Sequence, residues 1–456
     1  MSLTTPEKIR TLQRKLYRKA KAEPAFRFYL LYDKIHREDI LRHAYELARA
    51  NAGAAGVDGM TFARIETLGL EAWLAGLREE LVSKTYRPDP VRRVSIPKAD
   101  GAGELLLGIP TIRDRVVQTA AKLVLEPIFE ADFEDTAYGY RPARGAADAV
   151  KEVHRHIRRG YTDVVDADLS KYFDSIPHCE LLKSVARRIV DRHVLRLIKL
   201  WLKAPIEEQD GEGTRRMSGG KSNTRGTPQG GVASPLLANI YMNRFLKHWR
   251  RTGRGEAFHA HVVAYADDFV ILSRGNATEA LAWTKAVMTK LGLTLNEAKT
   301  SVRDARQECF DFLGYAFGPH HDERGGERYL GASPSKKSVR RIKSTVSELL
   351  VAREKGSWPN VRDRLNRLCR VGRRTSAMGP ARGSIGRLIT TFVIASGTSC
   401  AIGASCTGVA HGVFTLLWFS GRSVFYSFDA CSFSHRRGPY DEAGRKAECR
   451  KSARPV

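Results

Sequence analysis

Val262-Val263-Ala264-Tyr265-Ala266-Asp267-Asp268-Phe269-Val270-Ile271-Leu272 sets two adjacent carboxylates between two apolar runs. The runs read as buried strands and the centre as a tight hairpin. A turn relaxes the strict alternation of side chains along a strand, so both acids can serve one site. Paired carboxylates at such a tip suit a hard divalent cation, which prefers oxygen ligands and keeps room for substrate phosphates. A solvated acidic turn is the plainer reading of the four residues taken alone.

A second acidic segment favours the metal site. Val164-Val165-Asp166-Ala167-Asp168 opens on a β-branched pair and places Asp168 where a strand should end, with Lys171-Tyr172-Phe173-Asp174 following. Two-metal phosphoryl transfer needs carboxylates from separate segments to converge on cations about 3.5–4 Å apart. Asp168, Asp267 and Asp268 supply that set. Asp166 reads as a capping or solvated acid. The run Gly226-Thr227-Pro228-Gln229-Gly230-Gly231 reads as a loop, with a helical stretch from Ser234 to Phe245 after it. Its glycines permit close backbone approach to a ligand, and Gln229 can hydrogen-bond to a base or sugar.

With their neighbours, these segments resemble the reverse transcriptases encoded by bacterial group II introns, also called maturases. The matching blocks, in family order, are GVDGMTFARIE (56 to 66), YRPDPVRRVSIPK (86 to 98), LGIPTIRDRVVQ (107 to 118), YGYRPARGAADAV (138 to 150), VDADLSKYFDSIPH (165 to 178), RGTPQGGVASPLLANIYMNRF (225 to 245), VVAYADDFVIL (262 to 272), LGLTLNEAKT (291 to 300) and FDFLGYAFG (310 to 318). The resemblance covers roughly residues 5 to 370.

The resemblance implies an α+β right-hand polymerase fold, with an antiparallel palm sheet packed on helices and a truncated helical thumb. The implied division is a basic extension (1–50), fingers (51–160), palm (161–320), the start of a thumb or maturase domain (321–370) and an aberrant tail (371–456). It implies RNA-directed DNA synthesis by Asp168, Asp267 and Asp268 with two Mg²⁺ ions, or Mn²⁺ in their place. Phe173 would lie under the incoming sugar and collide with a 2′-hydroxyl, and Gln229 would lie beside the nascent base pair. Lys98 would contact the triphosphate and Lys299 the leaving phosphate. The implied partners are group II intron RNA, an RNA template with a DNA primer, and deoxynucleoside triphosphates. The chain departs from the family at Leu105, where an arginine usually stands; Arg113 or Arg115 is the nearest substitute. A second function from another class stays open: an RNA-binding splicing cofactor with a vestigial polymerase site.

Composition agrees with a polyanionic partner. Lys and Arg total 76 against 50 Asp and Glu, for a net charge of +26. Such a field attracts nucleic acid and makes binding salt-dependent through counterion release. Arg10, Arg14, Lys15, Arg18, Lys19 and Lys21 fit a basic helix, followed by Phe26, Phe28, Tyr29 and Tyr32. Template contact and a solvated helix over a small apolar patch are both compatible with that pattern. The start lacks the apolar run of a secretory signal, so a cytoplasmic, nucleic-acid-associated protein is expected, with no membrane partner.

From Cys369 onward the character changes: five of seven cysteines lie there, and Leu388 to Gly421 holds no Asp, Glu, Lys or Arg. A membrane span from Leu388 to Phe419 is opposed by its Gly, Ser and Thr content and by His411. A zinc module from Cys400, Cys406, His411, Cys431 and His435 lacks paired-ligand spacing. The remaining reading is translation out of frame. With permitted codons, one G inserted after the Arg370 codon turns the following residues into RGWAAYFSYG, and the same frame turns the stretch from Leu388 into VDHYVRDRVRHFL, both like the family. A tail in that frame is not selected to bury a core, so irregular structure is expected after about residue 375.

Overall fold

The strands of the chain, in order, are β1 (Val91–Pro97), β2 (Glu104–Ile109), β3 (Asp163–Asp168), β4 (Pro205–Gln209), β5 (Arg215–Gly219), β6 (Ala260–Tyr265), β7 (Asp268–Ser273), β8 (Ser301–Asp304), β9 (Phe310–Phe312), β10 (Tyr315–His321) and β11 (Arg328–Pro334). The computed structural model describes residues 3–97, 104–209, 215–321 and 328–350, together with Asn360 and Arg364. The readings of Lys98 and of the tail after residue 370, with its cysteines and histidines, lie outside the described residues.

Three sheets form: β2-β1-β4-β5, β6-β7-β3-β8 and β11-β10-β9. The second is antiparallel throughout, as expected of the sheet that carries the acids. The first is mixed, because β1 runs parallel to β4. The fold is therefore α+β, and the two acidic segments are neighbouring strands.

Alternation along β3 explains how this sheet is held. Val165 and Ala167 face one apolar core, and Val164 faces another with Val263, Val270 and Leu272. The larger core runs from Ile9 to Leu295 and contains helix Ile112–Glu130, whose Val116, Val117, Ala120, Val124 and Ile128 are fully buried. Thr111 caps that helix by accepting the Asp114 N–H. Helix Ser234–Arg251, six residues longer than the sequence suggested, starts with Pro235 in its first turn and packs Phe245 on Phe269 of β7, ring centroids 5.5 Å apart. The smaller core joins the same sheet to helix Ala146–Arg158 and to β9, β10 and β11.

The basic amino-terminal segment is a helix, Glu7–Ala22, with Ile9, Leu16 and Ala20 buried. The Gln13 side chain donates to the Leu123 carbonyl at 3.0 Å, and the buried Arg188 guanidinium donates to the carbonyls of Ala20, Glu23 and Phe26. Charge on the outer face and apolar residues on the inner one thus coexist. Helix Lys336–Leu350 follows β11. No helix among the described residues is long and apolar enough to cross a membrane.

Candidate active site

Asp168 is the last residue of β3 and Asp268 the first of β7, and the ladder pairs them directly. Opposed residues of an antiparallel pair project from the same face, so their carboxylates are neighbours, with Asp166 two positions back on that face. Asp267 occupies the two-residue turn between Tyr265 and Asp268. The charges interact. Burial raises the Asp268 pKa to about 6, with Asp267, Asp168 and Asp166 adding to the shift and Lys299 opposing it. Burial likewise raises Asp267, opposed by its own backbone N–H, while the Asp168 charge adds to it and Lys299 opposes it.

Asp168 is held from the side opposite the hairpin. Asn296 donates its side-chain amide to Asp168 Oδ2 at 3.1 Å and its backbone N–H to the Asp168 carbonyl at 2.8 Å. Lys299 Nζ lies 3.3 Å from the same Oδ2 on an otherwise exposed side chain. Among the described residues, no group of three or more His, Cys, Asp or Glu is gathered closely enough to be a ready-made metal cage. The donor chemistry nevertheless fits a hard cation: the oxygens are anionic, mutually repelling and offset by one lysine, and Mg²⁺ completes its shell with water and substrate phosphate.

The hairpin is shaped by its neighbours. Ala266 adopts φ of 59°, a left-handed conformation costly for a side chain. The segment 136–140 lies along the outer edge of β6, where Tyr138 N–H donates to the Ala264 carbonyl at 2.8 Å and Ala264 N–H to Thr136 at 2.9 Å. A Cβ on Gly139 would stand 2.5 Å from the Ala266 nitrogen, so the approach requires glycine. Asn239 fixes that glycine by donating to its carbonyl at 2.8 Å.

The glycine loop docks between β2 and the helical turn Tyr172–Ser175. Gly108 N–H at the end of β2 donates to the Gln229 carbonyl at 2.5 Å, and Gly230 (φ of 102°) is packed against the Gly108 carbonyl where no Cβ fits. The Gln229 side chain donates to Asp174 Oδ2 at 3.1 Å. Thr227 N–H donates to the Phe173 carbonyl at 2.7 Å, so the loop also fixes the single helical turn Tyr172–Ser175 that carries Phe173.

Other expected residues fall elsewhere. The Arg113 guanidinium is taken up by Glu80, by Asp89 at 3.4 Å and by the Arg87 carbonyl at 2.9 Å, over the Tyr86 ring. Arg115 donates to the carbonyls of Pro110 and Ala54. Both are internal ties, because helix Ile112–Glu130 turns those side chains onto the segments that precede it, helix Leu70–Val82 among them. Sequence reading missed three groups. Asp166, read as a solvated acid, is held at about 6 by burial, opposed by Arg303, with Asp168 and Asp311 adding to the shift. Asp174 holds Gln229. Arg92, on β1, has a buried Nε with no hydrogen-bond partner. The alternation of Asp166 with Asp168 was the one available signal.

Comparison with known proteins agrees with this geometry. Residues 96–317 match the family described as "Reverse transcriptase (RNA-dependent DNA polymerase)". Protein YkfC of Escherichia coli K12 is 33% identical over 380 residues, covering 75% of this chain and 96% of that one. Group II intron-encoded protein LtrA of Lactococcus lactis is 35% identical over 229 residues, covering 48% of this chain and 35% of LtrA. Nuclear intron maturase 4, mitochondrial, of Arabidopsis thaliana is 27% identical over 216 residues, covering 47% of this chain and 25% of the maturase. With the ordered sequence blocks and the acidic hairpin in place, the chain belongs to the group II intron reverse transcriptase and maturase family.

Proposed function

We propose that this chain copies RNA into DNA by nucleotidyl transfer, with Asp168, Asp267 and Asp268 as the ligands of two Mg²⁺ ions. The observation carrying this reading is the direct pairing of Asp168 with Asp268, beside Asp267 in the turn. When bound, the ions activate the attacking primer oxygen and neutralise charge on the leaving phosphates. Asp267 and Asp268 resist ionisation without a counter-charge, so they favour a cation beside them. Lys299 offsets the same charge from the edge and, in this reading, meets the leaving phosphate.

Phe173 lies under the incoming sugar in this reading, and Gln229 beside the new base pair, steadied by Asp174 and Gly108. Lys98 contacts the triphosphate; Arg113 takes that role only by leaving Glu80. The region from 51 to 160 acts as fingers, 161 to 320 as palm and 321 to 370 as the beginning of a thumb. Template, primer and intron RNA are drawn by the basic surface, and the protein works in the bacterial cytoplasm on nucleic acid.

Leu105 favours a second reading, a maturase that steadies folded intron RNA around a vestigial polymerase site. A lost arginine clamp removes charge-assisted hydrogen bonds worth about 1.5–3 kcal/mol. Purified Asp267→Ala protein separates the two. With an RNA template, DNA primer and Mg²⁺, the wild type extends the primer and the variant does not, while both bind intron RNA equally. Absence of extension by wild-type protein, with RNA affinity and splicing assistance retained, overturns the polymerase reading in favour of the maturase.

A further inference from the structure

Tyr140 is the unexplained residue of the site. It is 49% exposed, although a tyrosine is large and amphipathic, and its φ is 54°. Such a conformation costs about 1–2 kcal/mol in a non-glycine residue and persists only where the surroundings enforce it. They do so here. The adjacent Arg141, 7% exposed, donates to Glu130 and to the carbonyls of Glu134 and Ala137 at 2.7 Å each. Gly139 is locked between Asn239 and the Ala266 backbone. A rigid loop therefore presents one ring in one place.

That place lies between two other rings. The Tyr140 centroid is 6.4 Å from Phe173 at 77° and 6.4 Å from Tyr265 at 39°. Phe173 also meets Tyr172, edge-on at 5.7 Å, whose hydroxyl donates to the Ala238 carbonyl at 2.7 Å. Phe173 itself sits on one short helical turn, entered through Lys171 at φ of 47°. A ring that discriminates a single oxygen atom has to be immobile, because a small rotation opens the space that the oxygen needs. Tyr172 and Tyr140 both meet the Phe173 ring edge-on.

We infer that Tyr140 is a positioning residue that holds the Phe173 ring against rotation and so sets the preference for deoxy- over ribonucleotides. This rests on the polymerase reading above, with Phe173 under the sugar. Tyr140 acts through its ring edge, and its hydroxyl is not required.

The test uses the full chain, an RNA template with a DNA primer, and Mg²⁺, and measures kcat and KM for one deoxynucleotide and its ribo counterpart. Tyr140→Ala lowers the selectivity about tenfold, near the limit of what one ring contact holds in place. The change lies mainly in a lower KM for the ribonucleotide. Tyr140→Phe keeps the wild-type ratio. Tyr140→Gly, which relieves the positive φ, gives the same relaxed ratio as Tyr140→Ala and guards against a folding defect. Tyr140→Ala combined with Phe173→Ala is no more permissive than Phe173→Ala alone. An unchanged ratio in both Tyr140→Ala and Tyr140→Gly overturns this inference while leaving the polymerase reading intact. A wild-type chain that extends no primer overturns both.

Discussion

Asp168 and Asp268 stand directly opposite each other across two antiparallel strands, one closing β3 and the other opening β7. Like charges directly opposite each other destabilise a sheet. The pairing also dictates a pH dependence. Asp268 has a folded pKa of about 6 against 3.8 when unperturbed. An acid shifted upward holds its proton in the folded state between those values, so its opposition to folding is absent below about 4 and complete above about 6.

In metal-free buffer, Asp268→Asn is therefore expected to raise Tm at pH 7.5 and to raise it by clearly less near pH 4.5, where only part of the opposition has developed. Added Mg²⁺ is expected to raise the wild-type Tm at pH 7.5 more than that of the variant. Thermal unfolding at the two pH values measures both. A variant less stable than wild type at pH 7.5 contradicts the repulsion.

Gly139→Ala places a methyl group 2.5 Å from the Ala266 nitrogen, with backbone on both sides of the clash. The hairpin must shift, at a cost of about 1–3 kcal/mol. Because the shift falls on the turn that carries Asp267, primer extension is expected to drop more than the change in stability accounts for. Denaturant unfolding and single-nucleotide kinetics on the same preparation compare the two losses.

Arg113→Ala breaks a half-buried ion pair with Glu80 and Asp89 and removes a cation from the Tyr86 ring. A loss of about 1–3 kcal/mol in stability is expected, with the KM for deoxynucleotide held within twofold. A tenfold rise in KM at unchanged stability instead assigns Arg113 to the triphosphate.

Gly230→Ala drives a methyl group into the Gly108 carbonyl at a residue with φ of 102°. The Gln229 loop is expected to leave β2 and raise the KM for deoxynucleotide about tenfold with a smaller change in kcat, since positioning rather than chemistry is lost. Equal loss in kcat and kcat/KM points to a role in the transition state instead.

Sequencing the genomic locus tests the tail. One missing nucleotide near codons 370 to 371, with family-like text in the adjacent frame, is the expected result. An intact frame whose tail recurs in relatives removes the hypothesis.

The local patterns of the chain determined its strands, its turn and its candidate acids. Apolar runs around 262–272 and 164–165 became β6, β7 and β3, and Asp168 fell at a strand end. Those features depend on residues next to one another in sequence, where alternation and turn chemistry act directly. The ordered blocks added the family, because their spacing is a property of the chain and not of its packing. Only the tertiary structure decided the register that sets Asp168 against Asp268 and brings Asp166 onto their face, the seat of Gln229 on Gly108 and Asp174, the diversion of Arg113 to Glu80, and the position of Tyr140 between Phe173 and Tyr265. These partners come from separate segments of the chain, and burial and hydrogen-bond satisfaction across the whole core choose among the ways such segments can meet.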